Sequence, residues 1–117
     1  WVWIEGNHDP GPVDLGGTHR AELTLQGITF RHIADPGKSR EISGHYHPKA
    51  RITARGRSLS RRCMLVDGAR IILPAYGTYT GGLYCDRPEL AALMQDPAHA
   101  ILLPAPDRAP LPIPMPR

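Results

Sequence analysis

A strand-rich α/β (α+β) fold is predicted by three features of these 117 residues. Short segments of apolar or alternating apolar and polar residues recur along most of the chain. Turn dipeptides containing Gly punctuate them at short intervals, and only one stretch carries the start signals of a helix. Alternation with a period of two is what a half-buried strand needs, because successive side chains point to opposite faces of a sheet.

The elements follow in order. Residues 1–5 open on Trp-Val-Trp-Ile and read as a short buried strand stopped by Gly6. Residues 9–17 hold two Pro, three Gly and two Asp, the composition of a loop. Ala21, Leu23 and Leu25, a turn at Gln26-Gly27, then Ile28, Phe30 and His32 predict a hairpin with His32 near the end of its second strand. Asp35-Pro36-Gly37 is a turn, and residues 41–43 form a brief strand ending in Gly44. Residues 50–53, 59–66 and 70–73 read as three further strands, joined at Arg55-Gly56 and Asp67-Gly68. The run PAYGTYTGG over 74–82 is an ordered loop. A helix is expected over 87–95, with Asp86 as N-cap, Glu89 completing a capping box and Pro88 tolerated in the first turn. Residues 99–103 complete a domain spanning 1–103. From Pro104 onward six of fourteen residues are Pro, which predicts a flexible, polyproline-like tail over 104–117.

Composition narrows the class. With 41% hydrophobic and 21% charged residues the chain reads as soluble. No apolar run approaches the roughly 20 residues of a membrane helix. Cys63 and Cys85 lack CxxC spacing and are expected to be reduced, partly buried thiols, in keeping with a cytoplasmic location. Net charge is +3, yet residues 38–70 carry nine basic side chains against Glu41 and Asp67, a local balance of +7. That asymmetry suits a polyanion such as nucleic acid, and a merely solvated face accounts for it equally well.

Four histidines stand in tight, polar contexts. Gly44-His45-Tyr46-His47 places two imidazoles two residues apart. In an extended segment they would project to one side with backbones about 6.6 Å apart, able to reach two neighbouring metal ions; alone, the pattern also fits two exposed histidines on a surface strand. Gly44 would let the chain turn sharply, and Pro48 fixes its exit. Upstream, Gly6-Asn7-His8-Asp9 directly follows an apolar strand. The Asn7 oxygen is a neutral, hard donor that can complete a metal's shell. His8, unable to share that ion easily, is free for another task. Asp9 can orient its imidazole and favour the protonated form, which suits a general acid beside a phosphate. The same residues also make an ordinary Asx-turn.

The ordered set GNHD, His32 in Phe-Arg-His, then GHYH resembles the calcineurin-like metallophosphoesterases. The resemblance implies a four-layer α-β-β-α sandwich of which this chain is the C-terminal portion. It implies that Asn7, His32 and His45 ligate one metal, that His47 ligates a second, and that His8, with Asp9, is catalytic. The run LPAYGTYTGGL over 73–83, after GHYHP and an Arg-rich segment, is similar to the bacterial ligase-associated metallophosphoesterases, DNA damage-response endonucleases encoded near a DNA ligase and a helicase. That narrower likeness implies a DNA or other phosphodiester substrate, with ligase and helicase as functional partners and no membrane association. Two divalent ions are expected, Mn²⁺ foremost and Fe or Zn as alternatives, because nitrogen-rich ligation disfavours Mg²⁺ and Ca²⁺. Arg51, Arg55 and Arg57 are expected to contact the DNA backbone, and Tyr76 and Tyr79 to edge the substrate cleft.

One departure accompanies the match. The family's DxH and GD motifs, the latter supplying an aspartate that bridges both metals, do not occur here, and the chain opens as though its strand were already under way. A partial sequence with little activity of its own is the expectation. Rival functions are a small-substrate phosphatase or nucleotide phosphodiesterase, and a non-catalytic DNA-binding module.

Overall fold

The computed structural model describes residues 1–7, 16–77 and 81–116. Strand β1 (Val2–Ile4) pairs in parallel with β2 (Thr18–Arg20) to form a small separate sheet. The larger sheet contains β3 (Glu22–Leu25), β4 (Ile28–Arg31), β5 (Glu41–Ser43), β7 (Arg57–Val66), β8 (Arg70–Ile72), β9 (His99–Leu102) and β10 (Leu111–Pro114) in the order β10-β9-β7-β8-β5-β4-β3. Strand β6 (Lys49–Ala54) pairs with the first half of β7 alone, so the β6–β7 hairpin is an arm of the main sheet. The strand-rich mixed α/β architecture expected from the sequence is the one that forms.

Local chemistry accounts for the joints. Gln26 and Gly27, and likewise Arg55 and Gly56, all have positive φ, the two-residue hairpin turn whose twist matches that of the flanking strands. Asp67-Gly68 works differently. Asp67 Oδ1 accepts hydrogen bonds from the amides of Ala69 (2.6 Å) and Arg70 (2.8 Å), and its Oδ2 accepts one from Gln95 (2.6 Å). One carboxylate therefore ties the β7–β8 joint to the segment after the helix. At Asp35 the amide of Lys38 bonds back to the carbonyl and that of Gly37 to the side chain, as a turn there requires.

The core lies between the second half of β7, with β8 and β9, and the helix. Leu65, Ile72, Cys63, Leu90, Ala50 and Ala100 are fully enclosed. Helix α1 (Pro88–Leu93) buries Leu90.

Four expectations are corrected. β1 forms but is not buried. Trp1 is 94% exposed, because β2 is its one strand partner among the described residues. Trp1 and Trp3, two residues apart on one strand face, stack at 6.0 Å instead. The helix is shorter than 87–95, and Arg87, not Asp86, is its N-cap, with no side-chain cap. Glu89 pairs with the Arg87 guanidinium at 3.2 Å and closes no capping box.

The Pro-rich segment is no loose tail over 111–115. Met115 donates its amide to Ala98 (2.9 Å), and the antiparallel register pairs Ile113 with Ala100 and Leu111 with Leu102. Hydrogen-bonded pairs alternate in such a ladder, so Pro112 and Pro114 fall where no amide is needed. Proline at every second position of an edge strand is thereby accommodated, and Met115 reaches the core. The fourth correction concerns the GHYH segment, described below.

No helix among the described residues is long and apolar enough to cross a membrane.

Candidate metal centre

Strands β4, β5 and β8 run parallel to one another. Their C-terminal ends therefore share one edge of the sheet, and the loops that follow are gathered there, the position where open sheets containing parallel strands present ligand sites. His32 directly follows β4, Gly44 to His47 follow β5, and Leu73 follows β8. Gly44 donates its amide to the carbonyl of His32 (3.0 Å), fastening two of these loops together. A cavity of about 190 Å³ opens at this edge between Ile4, Phe30, His32, Ser43 and Leu73. The Ser43 hydroxyl is buried on its wall, without a hydrogen-bond partner among the described residues.

Three predicted ligands converge here. Asn7 Oδ1 lies 2.7 Å from His32 Nε2, and His45 Nδ1 lies 3.2 Å from the same nitrogen. Gly6 makes the approach possible, since a Cβ there would stand 3.1 Å from His32 Cε1. The three donors fit a metal ion. Bonds of about 2.0–2.2 Å to nitrogen and oxygen set neighbouring donors about 3.0–3.4 Å apart; the His32–His45 pair, at 3.2 Å, meets that spacing and the Asn7–His32 pair, at 2.7 Å, is tighter. Protons alone satisfy the cluster poorly. An amide oxygen only accepts, so His32 Nε2 must carry hydrogen to bond Asn7 and then has no lone pair for His45. Asn7, His32 and His45 would hold a cation through these lone pairs jointly. Among the described residues no three His, Cys, Asp or Glu side chains group in this way; the third donor here is the Asn amide.

The GHYH segment is bent rather than extended, which corrects the picture of two imidazoles side by side. His45 (φ +64°) and His47 (φ +48°) occupy the left-handed region, whereas Gly44 does not. The Tyr46 amide bonds to the Gly44 carbonyl at 2.7 Å, a γ-turn centred on His45 in its rarer positive-φ form. Such a backbone costs a non-glycine residue on the order of 1–3 kcal/mol and concentrates at functional sites. The turn aims His45 at His32, the rings meeting edge to face at 5.0 Å, and the Tyr46 ring also meets His45 edge to face at the same distance. His47 makes no hydrogen bond to the cluster among the described residues. Its carbonyl lies so close to Gly82 that a Cβ there would collide with it, which gives the second glycine of TYTGGL a physical reason.

Beneath the centre lies a device that the sequence reading did not single out. Glu41, at the start of β5, forms ion pairs with Arg70 Nη1 at 2.8 Å and Arg31 Nε at 3.0 Å, and both its oxygens accept the Asp35 amide at 3.2 Å. Glu41 and Arg70 are essentially fully buried. Arg70 also donates to the carbonyls of Asp35 and Lys38 (3.3 and 2.8 Å), so the network clamps the 32–40 loop that begins with His32. The available signal was an acid opening a short strand inside the most basic part of the chain.

The other candidates are scattered. Arg51 lies on β6, Arg55 in the turn at the hairpin tip, and Arg57 at the start of β7. Tyr76 is fully exposed. His8, Asp9 and Tyr79 fall outside the described residues.

No family model and no curated protein matches the chain. Among solved structures, the crystal structure of the Pseudomonas putida nuclease MPE is similar, with a TM-score of 0.67 and 28% sequence identity over 94% of this chain. The chain shares the fold of the matched part of that nuclease. The match covers 53% of the nuclease, so the chain spans about half its length.

Proposed function

We propose that this chain forms the metal-binding C-terminal portion of a metallophosphoesterase that hydrolyses phosphodiester bonds in DNA, as an endonuclease or phosphodiesterase of DNA repair. The observation that carries the proposal is the meeting of Asn7, His32 and His45 at the C-terminal edge of the parallel strands. Likeness to a nuclease supports it. Two free buried thiols suit a reducing cytoplasm, and a DNA ligase and a helicase are the functional partners the reading implies.

Asn7, His32 and His45 would hold one divalent ion, Mn²⁺ foremost, and His47 would contribute to a second. Such ions supply Lewis-acid polarisation of phosphoryl oxygens. The protein's part is orientation. An all-neutral donor set leaves the ion's positive charge undiminished for the phosphate. The γ-turn at His45 and the Glu41 clamp hold two ligands in place before substrate arrives. His8, next in sequence to Asn7, is assigned the proton donated to the leaving oxygen, with Asp9 orienting its ring. The chain alone supplies one nearly complete donor set, so metal binding is expected of it more readily than turnover.

The test is made on the whole gene product with Mn²⁺, comparing hydrolysis of bis(p-nitrophenyl) phosphate with nicking of supercoiled plasmid. Both activities should disappear with EDTA and fall at least about a hundredfold with His32→Ala. Hydrolysis undiminished by either treatment contradicts the proposal, and activity on the aryl ester without nicking redirects it to small substrates.

A further inference from the structure

The β6–β7 hairpin divides its side chains between two faces, both basic, of which one also carries hydroxyl groups. Its register sets Lys49 opposite Arg62, Arg51 opposite Ser60 and Thr53 opposite Ser58, all on one side. Ala50, Ile52 and Ala54 lie on the other, opposite Arg61, Leu59 and Arg57, beside a hollow that Ile52, Leu59 and Arg61 share with Leu102 and Leu111. The first side carries unpaired charge. Neither Lys49 nor Arg51 makes an ion pair among the described residues, and residues 49–62 contain no acid.

The charge is held in place. The Arg51 guanidinium lies 3.8 Å from the centroid of the Tyr84 ring, and Lys49 Nζ lies 4.9 Å from it. A backbone bridge between Lys49 and Tyr84 fixes that ring beside β6. Ser60 first, then the cationic Arg51, hold the Tyr84 phenol below its usual pKa range. A guanidinium stacked by one face on an aromatic ring keeps its N–H edge free for bidentate recognition of phosphate. Arg62 is otherwise engaged, bonding the carbonyls of Ala75 (3.2 Å) and Tyr76 (3.3 Å).

Position supplies the direction. Lys49 stands two residues after His47, and its amide bonds to Leu83, so the charged face begins at the GHYH loop and runs outward to the Arg55-Gly56 turn. Alternate side chains on a strand are about 6.6–6.8 Å apart, a spacing comparable to that of successive phosphates on an extended nucleic-acid strand.

We infer that the Lys49–Arg51–Tyr84 face is a track for one nucleic-acid strand, gripped through its phosphates without reading bases and leading away from the metal centre. Tyr84 is a positioning residue for Arg51. The inference rests on the nuclease reading for its direction, and binding to it is measurable without turnover.

The experiment titrates the full chain, in EDTA, against a fluorescein-labelled single-stranded DNA oligonucleotide over a series of salt concentrations. Lys49→Gln and Arg51→Gln should each lower the slope of log K against log salt by about 0.7, and together weaken binding at low salt by about tenfold. Tyr84→Phe, which keeps the stack, should bind as wild type, and Tyr84→Leu should behave like Arg51→Gln. Arg108→Gln, beside the hollow on the hairpin's opposite face, is the control for loss of one charge off the track and should leave the slope unchanged. Circular dichroism confirms folding of these exposed-site variants. The track is overturned if the Lys49 and Arg51 variants keep the wild-type slope, or if polyglutamate of equal length competes as well as DNA. Track-dependent binding by a gene product that hydrolyses nothing would retain the track and remove the nuclease reading; hydrolysis with track-independent binding would do the reverse.

Discussion

His45 Nδ1 and His32 Nε2 stand 3.2 Å apart although thirteen residues separate them in the chain. The parallel pairing of β4 with β5 brings them together, because both residues leave the same edge of the sheet. Asn7 joins them from the small β1–β2 sheet. The centre is thus assembled by topology, and each part of that assembly can be disturbed separately.

Gly6 gives the His32 ring its room. Gly6→Ala should leave the thermal midpoint nearly unchanged while weakening Mn²⁺ affinity by about 10–100-fold, the usual effect of displacing a ligand's support. Isothermal titration calorimetry alongside thermal denaturation checks both halves.

The left-handed backbone at His45 predicts a split between stability and binding. His45→Gly and His45→Ala should lose metal binding alike. The Gly variant should nevertheless be more stable than the Ala variant by about 1–2 kcal/mol, since glycine alone adopts this conformation without strain. Urea unfolding of the two, without metal, measures the difference.

Glu41 neutralises two arginines, of which Arg70 is itself buried. Glu41→Gln should destabilise the chain by about 3–5 kcal/mol, because it strands a buried cation. A loss below about 1 kcal/mol in urea unfolding would show that the clamp is not structural.

Cys63 and Cys85 are both free and buried. The hydrogen bond with Cys85, then burial, pushes the Cys63 thiol up from its ordinary pKa. Cys63 should resist a thiol reagent such as DTNB in the native chain at pH 8 and react once urea unfolds it. Rapid native labelling of a Cys85→Ser variant, which leaves Cys63 alone, would contradict the packing.

Much of this was legible in residue pattern. The hairpin through Gln26-Gly27, the strands over 41–43 and 49–72, and His32 at a strand end all follow from alternation and turn chemistry, which are local. The failures were of two kinds. Asp67-Gly68 does join β7 to β8, but local signals misled at the chain's end, where the prolines of β10 sit at positions that need no amide. Tertiary facts had no local signal. Glu41 looked like a lone acid among bases, its partners lying 10 and 29 residues away. The bend at GHYH was assigned to Gly44, while His45 and His47 carry it. Composition marked the 38–70 stretch as basic, but strand register was needed to divide Arg51 from Arg57.

The most direct measurement is Mn²⁺ binding by electron paramagnetic resonance, with wild type beside Asn7→Ala, His32→Ala and His45→Ala, each first shown to be folded. A saturable site in the wild type that all three substitutions abolish or weaken by at least about tenfold is the predicted result. Binding of equal strength in all four proteins would contradict the metal centre.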